Sequence, residues 1–135
     1  MFVFCPRLAK IKQHVDEHFD EPFSLTDAAK LVALEKTYFS RLFREKVGVS
    51  FHDWLSRERI RRALLMLMGH DYSIADLAFA VGFKDVRTFQ RAFKKFTAVT
   101  PQECRTIVRR YWEVNTRGRR PRWEEIAPTL HDVAL

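Results

Sequence analysis

Residues 82–95 read GFKDVRTFQRAFKK, and this stretch decides how the rest of the chain is interpreted. Phe89, Phe93 and Phe96 recur at i, i+4 and i+7, so they share one face of a helix. The opposite face carries four long polar side chains: Arg87, Gln90, Arg91 and Lys94. Such a helix can pack its phenylalanines into a small core while its cationic row faces the major groove of DNA. The alternative is an ordinary solvated helix face, and the remaining sequence has to separate the two interpretations.

The chain is basic and rich in phenylalanine. It has 135 residues, a formal charge of +7, and 12 phenylalanines but only 4 glycines, which favours one helical domain or two very small ones. The charge suits a polyanionic partner such as nucleic acid, although charge alone also fits a membrane-surface or ribosome-associated protein.

Cysteine usage and hydropathy argue against secretion and membrane insertion. Cys5 and Cys104 are the only cysteines, too few for a disulfide framework, and no CxxC pair suggests a zinc site. We expect Cys104 to be a buried thiol on an apolar helix face. The longest internal apolar run, 63–68, is far shorter than a membrane span. The sequence therefore predicts a cytoplasmic protein with no membrane contact, no metal and no other cofactor.

Apolar periodicity and helix start signals together predict seven helices and no strand. The predicted segments are Arg7 to about Asp20, a short helix after the Ser24–Asp27 capping box, Lys36 to Lys46, a long helix from the Ser50–Asp53 box to about Met68, a short helix after the Ser73–Asp76 box, a helix capped by Asp85, and a last helix after Thr100. The last helix presents an apolar face made of Cys104, Ile107, Val108 and Tyr111.

The second half of the chain repeats the first. Ser24–Asp27 matches Ser73–Asp76, and Val32–Leu34 matches Val81–Phe83. After one inserted residue, Phe39, Arg41, Phe43 and Arg44 match Phe89, Arg91, Phe93 and Lys94. Core, cap and basic positions recur together over a length that chance does not explain, so the chain contains two copies of one helix–turn–helix unit.

The predicted architecture is all-α, with two helix-turn-helix subdomains joined by a long linker helix. The predicted boundaries are 1–49 for the N-terminal subdomain, 50–69 for the linker helix, 70–112 for the C-terminal subdomain and 113–135 for a basic tail. The second helix of each unit carries the basic face and is the candidate recognition helix. A rigid connector could hold these two helices about 34 Å apart, which is one turn of B-DNA. One chain could then bind as a monomer, and its target need not be palindromic.

The second unit resembles the signature of the AraC/XylS family of bacterial transcription regulators. The matching residues are AFAVGF at 78–83, FQRAFK at 89–94, Thr100–Pro101 and Arg105, and the likeness extends from about Leu8 to Val108. The resemblance implies an all-helical, two-lobed domain that binds double-stranded promoter DNA in the bacterial nucleoid. It also implies sequence-specific regulation, most often activation through RNA polymerase.

The resemblance assigns DNA contacts by position in both units. In the first unit they are Lys36, Thr37, Ser40, Arg41 and Arg44; in the second they are Val86, Arg87, Thr88, Gln90, Arg91 and Lys94. Phosphate contacts through helix N-terminal amides are expected at Ser24, Ser73 and Thr100. Arginine can bind guanine through two hydrogen bonds, and Gln90 could pair with adenine. Solvated surface is the alternative for each of these side chains.

Three residues depart from the family pattern. Ala33 and Ala98 stand where glycine is common, and Glu35 stands where a serine usually caps the first recognition helix. A glutamate at that point would repel a nearby phosphate, so the second unit is expected to be the firmer half of the interface.

Most full-length members of the family carry a separate ligand-sensing or dimerising domain, and these 135 residues have no room for one. The chain is therefore either a stand-alone regulator or the output domain of a larger protein, and a start at Met1 favours the first. The basic run 117–122 resembles an arginine arm that enters the minor groove, but a flexible charged tail is favoured. Residues 123–135 could add a short helix that packs back or contacts a partner, but the pattern does not assign it.

The sequence contains one pattern typical of an enzyme, and it is isolated. His14 to His18 fits H-x-x-E-H, but no third ligand is placed for it and Val15 belongs to a core stripe. No Ser/His/Asp arrangement and no phosphate-binding glycine loop is found, so we expect no catalytic activity. The alternative to a DNA-binding regulator is an adaptor that docks on RNA polymerase and contacts DNA incidentally.

Overall fold

The computed structural model describes residues 5–69 and 72–115, and this part of the chain is helical with no strand. Its helices are α1 (Pro6–His18), α2 (Leu25–Leu31), α3 (Lys36–Val47), α4 (Phe51–Gly69), α5 (Ile74–Ala80), α6 (Val86–Thr97) and α7 (Pro101–Asn115). The predicted all-α class is confirmed. The predictions for 117–122 and 123–135 lie outside the described residues.

The chain divides into two compact units, Met1–Glu58 and Arg59–Leu135. The division falls inside α4, which corresponds to the segment predicted as a linker helix. The first unit therefore contains α1, α2, α3 and the start of α4, and the second contains the rest of α4 with α5, α6 and α7. Each unit holds one helix–turn–helix pair, α2 with α3 and α5 with α6.

The core of the first unit is built around the ring of Phe51. Its centroid lies 5.7 Å from that of Phe23, 5.9 Å from that of Phe39 and 5.5 Å from that of Phe43. All three contacts are edge-to-face, which is the arrangement that aromatic quadrupoles favour. The first turn of α4 is thereby fixed against α3, the second helix of the pair.

The core of the second unit follows the same plan. Phe89 and Phe93 of α6 are fully buried, and the Phe83 ring lies 5.3 Å from that of Phe89. On α7, Val108 is buried beside Met68 and the half-buried Cys104.

The predicted apolar face of α7 is only partly used in the fold. Ile107 and Tyr111 are 58% and 38% exposed, so the apolar face predicted for this helix is only partly buried. Ile107 lies about 60° around the helix from Cys104, far enough for its side chain to leave the packed surface.

Both helix pairs turn through the same backbone conformation. The turn residue has positive φ in each unit, +57° at Ala33 and +99° at Gly82. In each unit the next amide bonds back to the first helix, from Leu34 to the Ala29 carbonyl and from Phe83 to the Ala78 carbonyl, both at 3.0 Å. The internal repeat read from the sequence is therefore also a repeat of backbone geometry.

The second helix of each pair also ends in the same way. Gly48 ends α3 with φ +93°, and Ala98 ends α6 with φ +69°. Their amides bond to the carbonyls of Arg44 and Lys94 at 2.9 and 2.8 Å. Each unit therefore has one glycine and one alanine at its two left-handed positions, in opposite order. Alanine has a Cβ that is unfavourable in this conformation, so both alanines are strained.

We predict opposite stability changes for reciprocal substitutions at the two helix ends. Ala98→Gly should raise the free energy of unfolding by about 0.5–1 kcal/mol, and Gly48→Ala should lower it by a similar amount. A Cβ built at Gly48 meets no atom within 4 Å, so the loss would report backbone strain alone. Urea denaturation followed by circular dichroism measures both changes.

Gly69→Ala is the control for this pair, because a Cβ there also meets nothing and its φ is not positive. It should not destabilise the protein. A Gly48→Ala variant as stable as the parent chain would show that the left-handed end carries no strain penalty.

Candidate nucleic-acid interface

The polar face of α6 is set by the two buried phenylalanines on its other side. Because Phe89 and Phe93 are 0% exposed, the helix cannot rotate without moving an aromatic ring into water. Arg87, Arg91 and Lys94 are consequently exposed, and Gln90 is half-buried. Of the other two predicted residues, Thr88 is exposed and Val86 is half-buried.

The helix α3 repeats this arrangement in the first unit. Phe39 and Phe43 are 0% exposed, and their ring centroids lie 5.8 Å apart. The five residues predicted as DNA contacts in this unit are all exposed: Lys36, Thr37, Ser40, Arg41 and Arg44.

Asp85 caps the N-terminus of α6, as predicted. Its Oδ1 accepts a hydrogen bond from the Thr88 amide at 2.7 Å, and its Oδ2 accepts one from the Thr88 hydroxyl at 3.0 Å. The hydroxyl proton of Thr88 is therefore already used within the protein. Only the methyl group and the oxygen lone pairs of Thr88 remain for a partner.

Glu35 takes the corresponding place on α3. Its two carboxylate oxygens accept hydrogen bonds from the amides of Thr37 and Tyr38, each at 2.9 Å. Glutamate is not among the preferred capping residues, and the sequence pattern alone did not assign this role to it. Glu35 thus replaces the usual serine cap instead of leaving the helix end uncapped.

These hydrogen bonds keep both caps ionised. The amide of Thr88 lowers the pKa of Asp85, and the amides of Thr37 and Tyr38 lower the pKa of Glu35. A negative charge consequently occupies the first turn of each recognition helix at neutral pH. Any net attraction for an anion has to come from the cationic side chains further along α3 and α6.

The three predicted phosphate-contact positions are helix caps. Ser24 and Thr100 form complete capping boxes: each hydroxyl accepts from the amide three residues on, at 3.1 Å, and each cap amide donates back to a carboxylate, at 3.0 Å to Asp27 and 3.3 Å to Glu103. At Ser73 the hydroxyl accepts from the Asp76 amide at 3.0 Å. Pro101 has no N–H, so within the first turn of α7 only the Gln102 amide lies outside the box.

A basic cleft joins α6 to the start of α7 and has a volume of about 460 Å³. Its lining residues are Arg87, Gln90, Arg91, Lys94, Lys95, Thr100 and Gln102. The structure therefore brings five of the predicted contact residues together around one depression. Sequence reasoning missed Lys95 and Gln102, because Lys95 lies at the edge of the polar face of α6 and Gln102 comes from the next helix.

Two other side chains of α7, Arg105 and Cys104, stabilise the fold and are not part of the candidate interface. Arg105 of α7 donates to the Tyr72 carbonyl at 3.2 Å and so ties α7 to the segment before α5. Burial raises the pKa of Cys104 to about 11, so this thiol is protonated at neutral pH, which fits the predicted buried thiol.

The histidines of the H-x-x-E-H pattern make packing and surface contacts. The His14 ring lies 4.4 Å from that of Phe23, and His18 lies 3.5 Å from a carboxylate oxygen of Glu21. Within residues 5–69 and 72–115, no group of three or more potential ligands is placed to hold a metal ion. None of the helices in these ranges is long and apolar enough to cross a membrane.

The family model for a helix-turn-helix domain matches residues 28–107. The chain belongs to the AraC-type helix-turn-helix family. Over 99 residues it is 34% identical to the regulatory protein PocR of Salmonella typhimurium, covering 73% of this chain and 33% of PocR. It is also 34% identical over 99 residues to an uncharacterized HTH-type transcriptional regulator of Staphylococcus aureus, of which it covers 13%. The chain thus spans a third or less of these curated relatives.

Solved structures show the same fold as this AraC-type domain. The C-terminal domain of the two-component response regulator yesN from Fusobacterium nucleatum matches with a TM-score of 0.67 and 30% identity, over 70% of this chain and 93% of that one. The DNA-binding domain of AdpA, solved in complex with a target DNA, matches with a TM-score of 0.73 and 24% identity, over 84% of this chain and 98% of that one. The predicted family is confirmed, and it is one of DNA-binding transcription regulators, not enzymes.

We predict that the capping carboxylates make this AraC-type domain less stable in acid. The pKa values of Glu35 and Asp85 are lower in the folded than in the unfolded chain. Their ionised forms therefore stabilise the fold above about pH 4, and this contribution is lost as the pH falls through the lowered values. Asp85→Asn keeps a capping oxygen but removes the charge, so its melting temperature should be lower than that of the parent at pH 7 and equal to it at pH 2.

Thermal melts followed by circular dichroism between pH 2 and pH 7 test this expectation. Asp20→Asn, at an exposed aspartate outside the helices, controls for the loss of one negative charge. A constant difference between Asp85→Asn and the parent across the whole range would contradict the assignment.

Proposed function

We propose that this AraC-type domain binds a specific promoter sequence by inserting α3 and α6 into adjacent major-groove segments, and that it activates transcription from that promoter. The observation that carries the proposal is the basic cleft, to which α6 contributes four arginine and lysine side chains and one glutamine opposite a buried aromatic stripe. Binding as a monomer to a site without palindromic symmetry, in the bacterial cytoplasm, is part of the same proposal.

Within the second unit, arginine and glutamine supply the base reading. Arg87 and Arg91 are exposed and long enough to bind the O6 and N7 atoms of guanine, and Gln90 can pair with adenine. Lys94, one turn after Gln90, is assigned to a phosphate. Val86 and Thr88 remain proposed contacts through their methyl groups, because the hydroxyl proton of Thr88 serves the Asp85 cap.

Within the first unit, two of the three side chains proposed to contact bases are short. Thr37, Ser40 and Arg41 are assigned to bases, and Lys36 and Arg44 to the backbone. The carboxylate of Glu35 lies at the same first turn and repels a phosphate there, although the two amides that donate to it partly neutralise its charge. This difference favours a shorter or weaker sequence block for α3 than for α6.

Three helix starts are proposed phosphate contacts: Ser24, Ser73 and Thr100. The support is strongest at Thr100, which lines the basic cleft beside Arg91 and Lys94. At Ser24 and Thr100 an acidic side chain belongs to the same capping box, so phosphate binding there depends on nearby cations.

Activation is proposed to proceed through contact with RNA polymerase. Among the described residues, four large apolar side chains are exposed outside the recognition helices: Phe79 at 54%, Ile107 at 58%, Tyr111 at 38% and Val114 at 79%. Ile107, Tyr111 and Val114 recur at i, i+4 and i+7 and so share one exposed face of α7, and an apolar patch of this kind favours a protein partner. They also support the second candidate, an adaptor in which polymerase docking is the main function and DNA contact is incidental.

Selection of bound duplexes from a random library tests the proposal directly. We expect two short enriched blocks about 10 base pairs apart, one for each recognition helix. Enrichment of a single block would remove α3 from the proposal. Absence of any enriched sequence at physiological salt would favour the adaptor.

Single substitutions then show which side chain reads bases within a block and which contacts the backbone. Arg91→Ala should weaken binding by about 1–3 kcal/mol and relax preference at one base position, whereas Lys94→Ala should weaken binding evenly for all sequences. Lys10→Ala, at an exposed position of α1, controls for the loss of one positive charge. Binding is measured by fluorescence anisotropy on the selected duplex and on single-base variants. If Arg91→Ala leaves every base preference unchanged, base reading by α6 is wrong.

A reporter assay separates the regulator from the adaptor. Combined Arg41→Ala and Arg91→Ala should abolish activation from a promoter that carries the selected site. Undiminished activity in that variant would show that DNA contact is incidental.

A further inference from the structure

The repeat pairs each residue of the basic cleft with one in the first unit, fifty positions earlier. Lys95 on α6 corresponds to Glu45 on α3, and Gln102 at the start of α7 corresponds to His52 at the start of α4. All four residues are exposed. The position of Lys95 in the second unit is therefore taken by a residue of opposite charge, Glu45, in the first.

We propose that the cleft between α6 and α7 is the main anchor for the DNA backbone, with Lys95 and Gln102 binding phosphodiester oxygens next to the bases read by Arg87 and Arg91. In the first unit, Glu45 opposes the same contact. The two units thus divide the work unequally: the second supplies most of the electrostatic affinity as well as the stronger sequence block, and the first adds the weaker block read by α3. This inference rests on the proposed function and extends it.

The placement of Gln102 beside α6 is fixed by the turn between α6 and α7. The Thr97 hydroxyl donates to the Phe93 carbonyl at 2.8 Å and accepts from the Val99 amide at 3.4 Å. The turn then passes through Ala98 and enters α7 at the Thr100 capping box. A short turn held at both ends keeps Gln102 in one position relative to Lys94.

Lys95 is also held near the cleft. Its ammonium nitrogen lies 5.3 Å from the centroid of the Phe96 ring, within the range of a cation–π contact.

The charge difference between the units is large on the scale that governs DNA binding. The cleft residues include two arginines and two lysines and no carboxylate. The corresponding positions of the first unit hold Arg41, Arg44 and Glu45. Each phosphate contact contributes a slope of about 0.9 to the dependence of log K on log salt, so one contact changes affinity about 3- to 4-fold between 50 and 200 mM salt.

The first test measures that slope on the selected duplex. Lys95→Gln should make the slope shallower by about one and leave the base preferences unchanged. Gln102→Ala should weaken binding about evenly for all sequences without changing the slope, because it removes a neutral donor. Lys10→Gln, on α1, controls for net charge. A slope for Lys95→Gln equal to that of Lys10→Gln would overturn the assignment of Lys95.

The second test exchanges the two charges and keeps the net charge of the chain. In the parent chain, phosphate ethylation should interfere most strongly beside the sequence block read by α6. In the double variant Glu45→Lys with Lys95→Glu, the strongest interference should move towards the other block. An unchanged pattern would overturn the proposed division of work. Failure of the parent chain to select any sequence would instead contradict the proposed function itself, so the two failures are distinguishable.

Discussion

The burial of one phenylalanine pair on each recognition helix is the constraint on which the rest of the structure depends. Phe39 with Phe43, and Phe89 with Phe93, are 0% exposed. Burying a phenylalanine side chain is worth about 1.5–3 kcal/mol, so a rotation of either helix that exposes its pair would cost several kcal/mol. That cost fixes which side of α3 and α6 faces outward, and it positions the polar residues of the candidate interface that lie on these two helices.

The same energy scale explains why two strained alanines are tolerated. A left-handed alanine costs about 1–2 kcal/mol, less than the burial of one phenylalanine pair. The turns at Ala33 and Ala98 are closed by the same hydrogen bonds as the equivalent turns at Gly82 and Gly48. The bonds from the residue after the turn back to the first helix are both 3.0 Å, and the bonds at the end of the second helix are 2.8 Å at Ala98 and 2.9 Å at Gly48. The packing of the phenylalanines therefore determines the turn conformation, and glycine only removes the backbone strain.

The features that could be predicted from the sequence are those written in local spacing. Phenylalanines four residues apart, serine or threonine before an acidic residue, and Asp85 before Thr88 each specify a short-range interaction, and the structure contains them. The cap formed by Glu35 escaped prediction because a longer side chain does the work of serine. The exposure of Ile107 and the approach of Gln102 to α6 depend on how two helices pack, which no local pattern records.

The capping carboxylates place a limit on how this fold can bind a polyanion. In helix-turn-helix proteins the first turn of the recognition helix approaches the base edges, where a free helix N-terminus would attract phosphate. Here Glu35 and Asp85 already fill those amides, so the backbone offers little attraction and the side chains must supply it. On α6, arginine and lysine follow the cap for three turns. On α3, Glu45 interrupts that series. Two units with the same backbone are therefore proposed to bind DNA unequally, and the difference arises from side chains at equivalent positions.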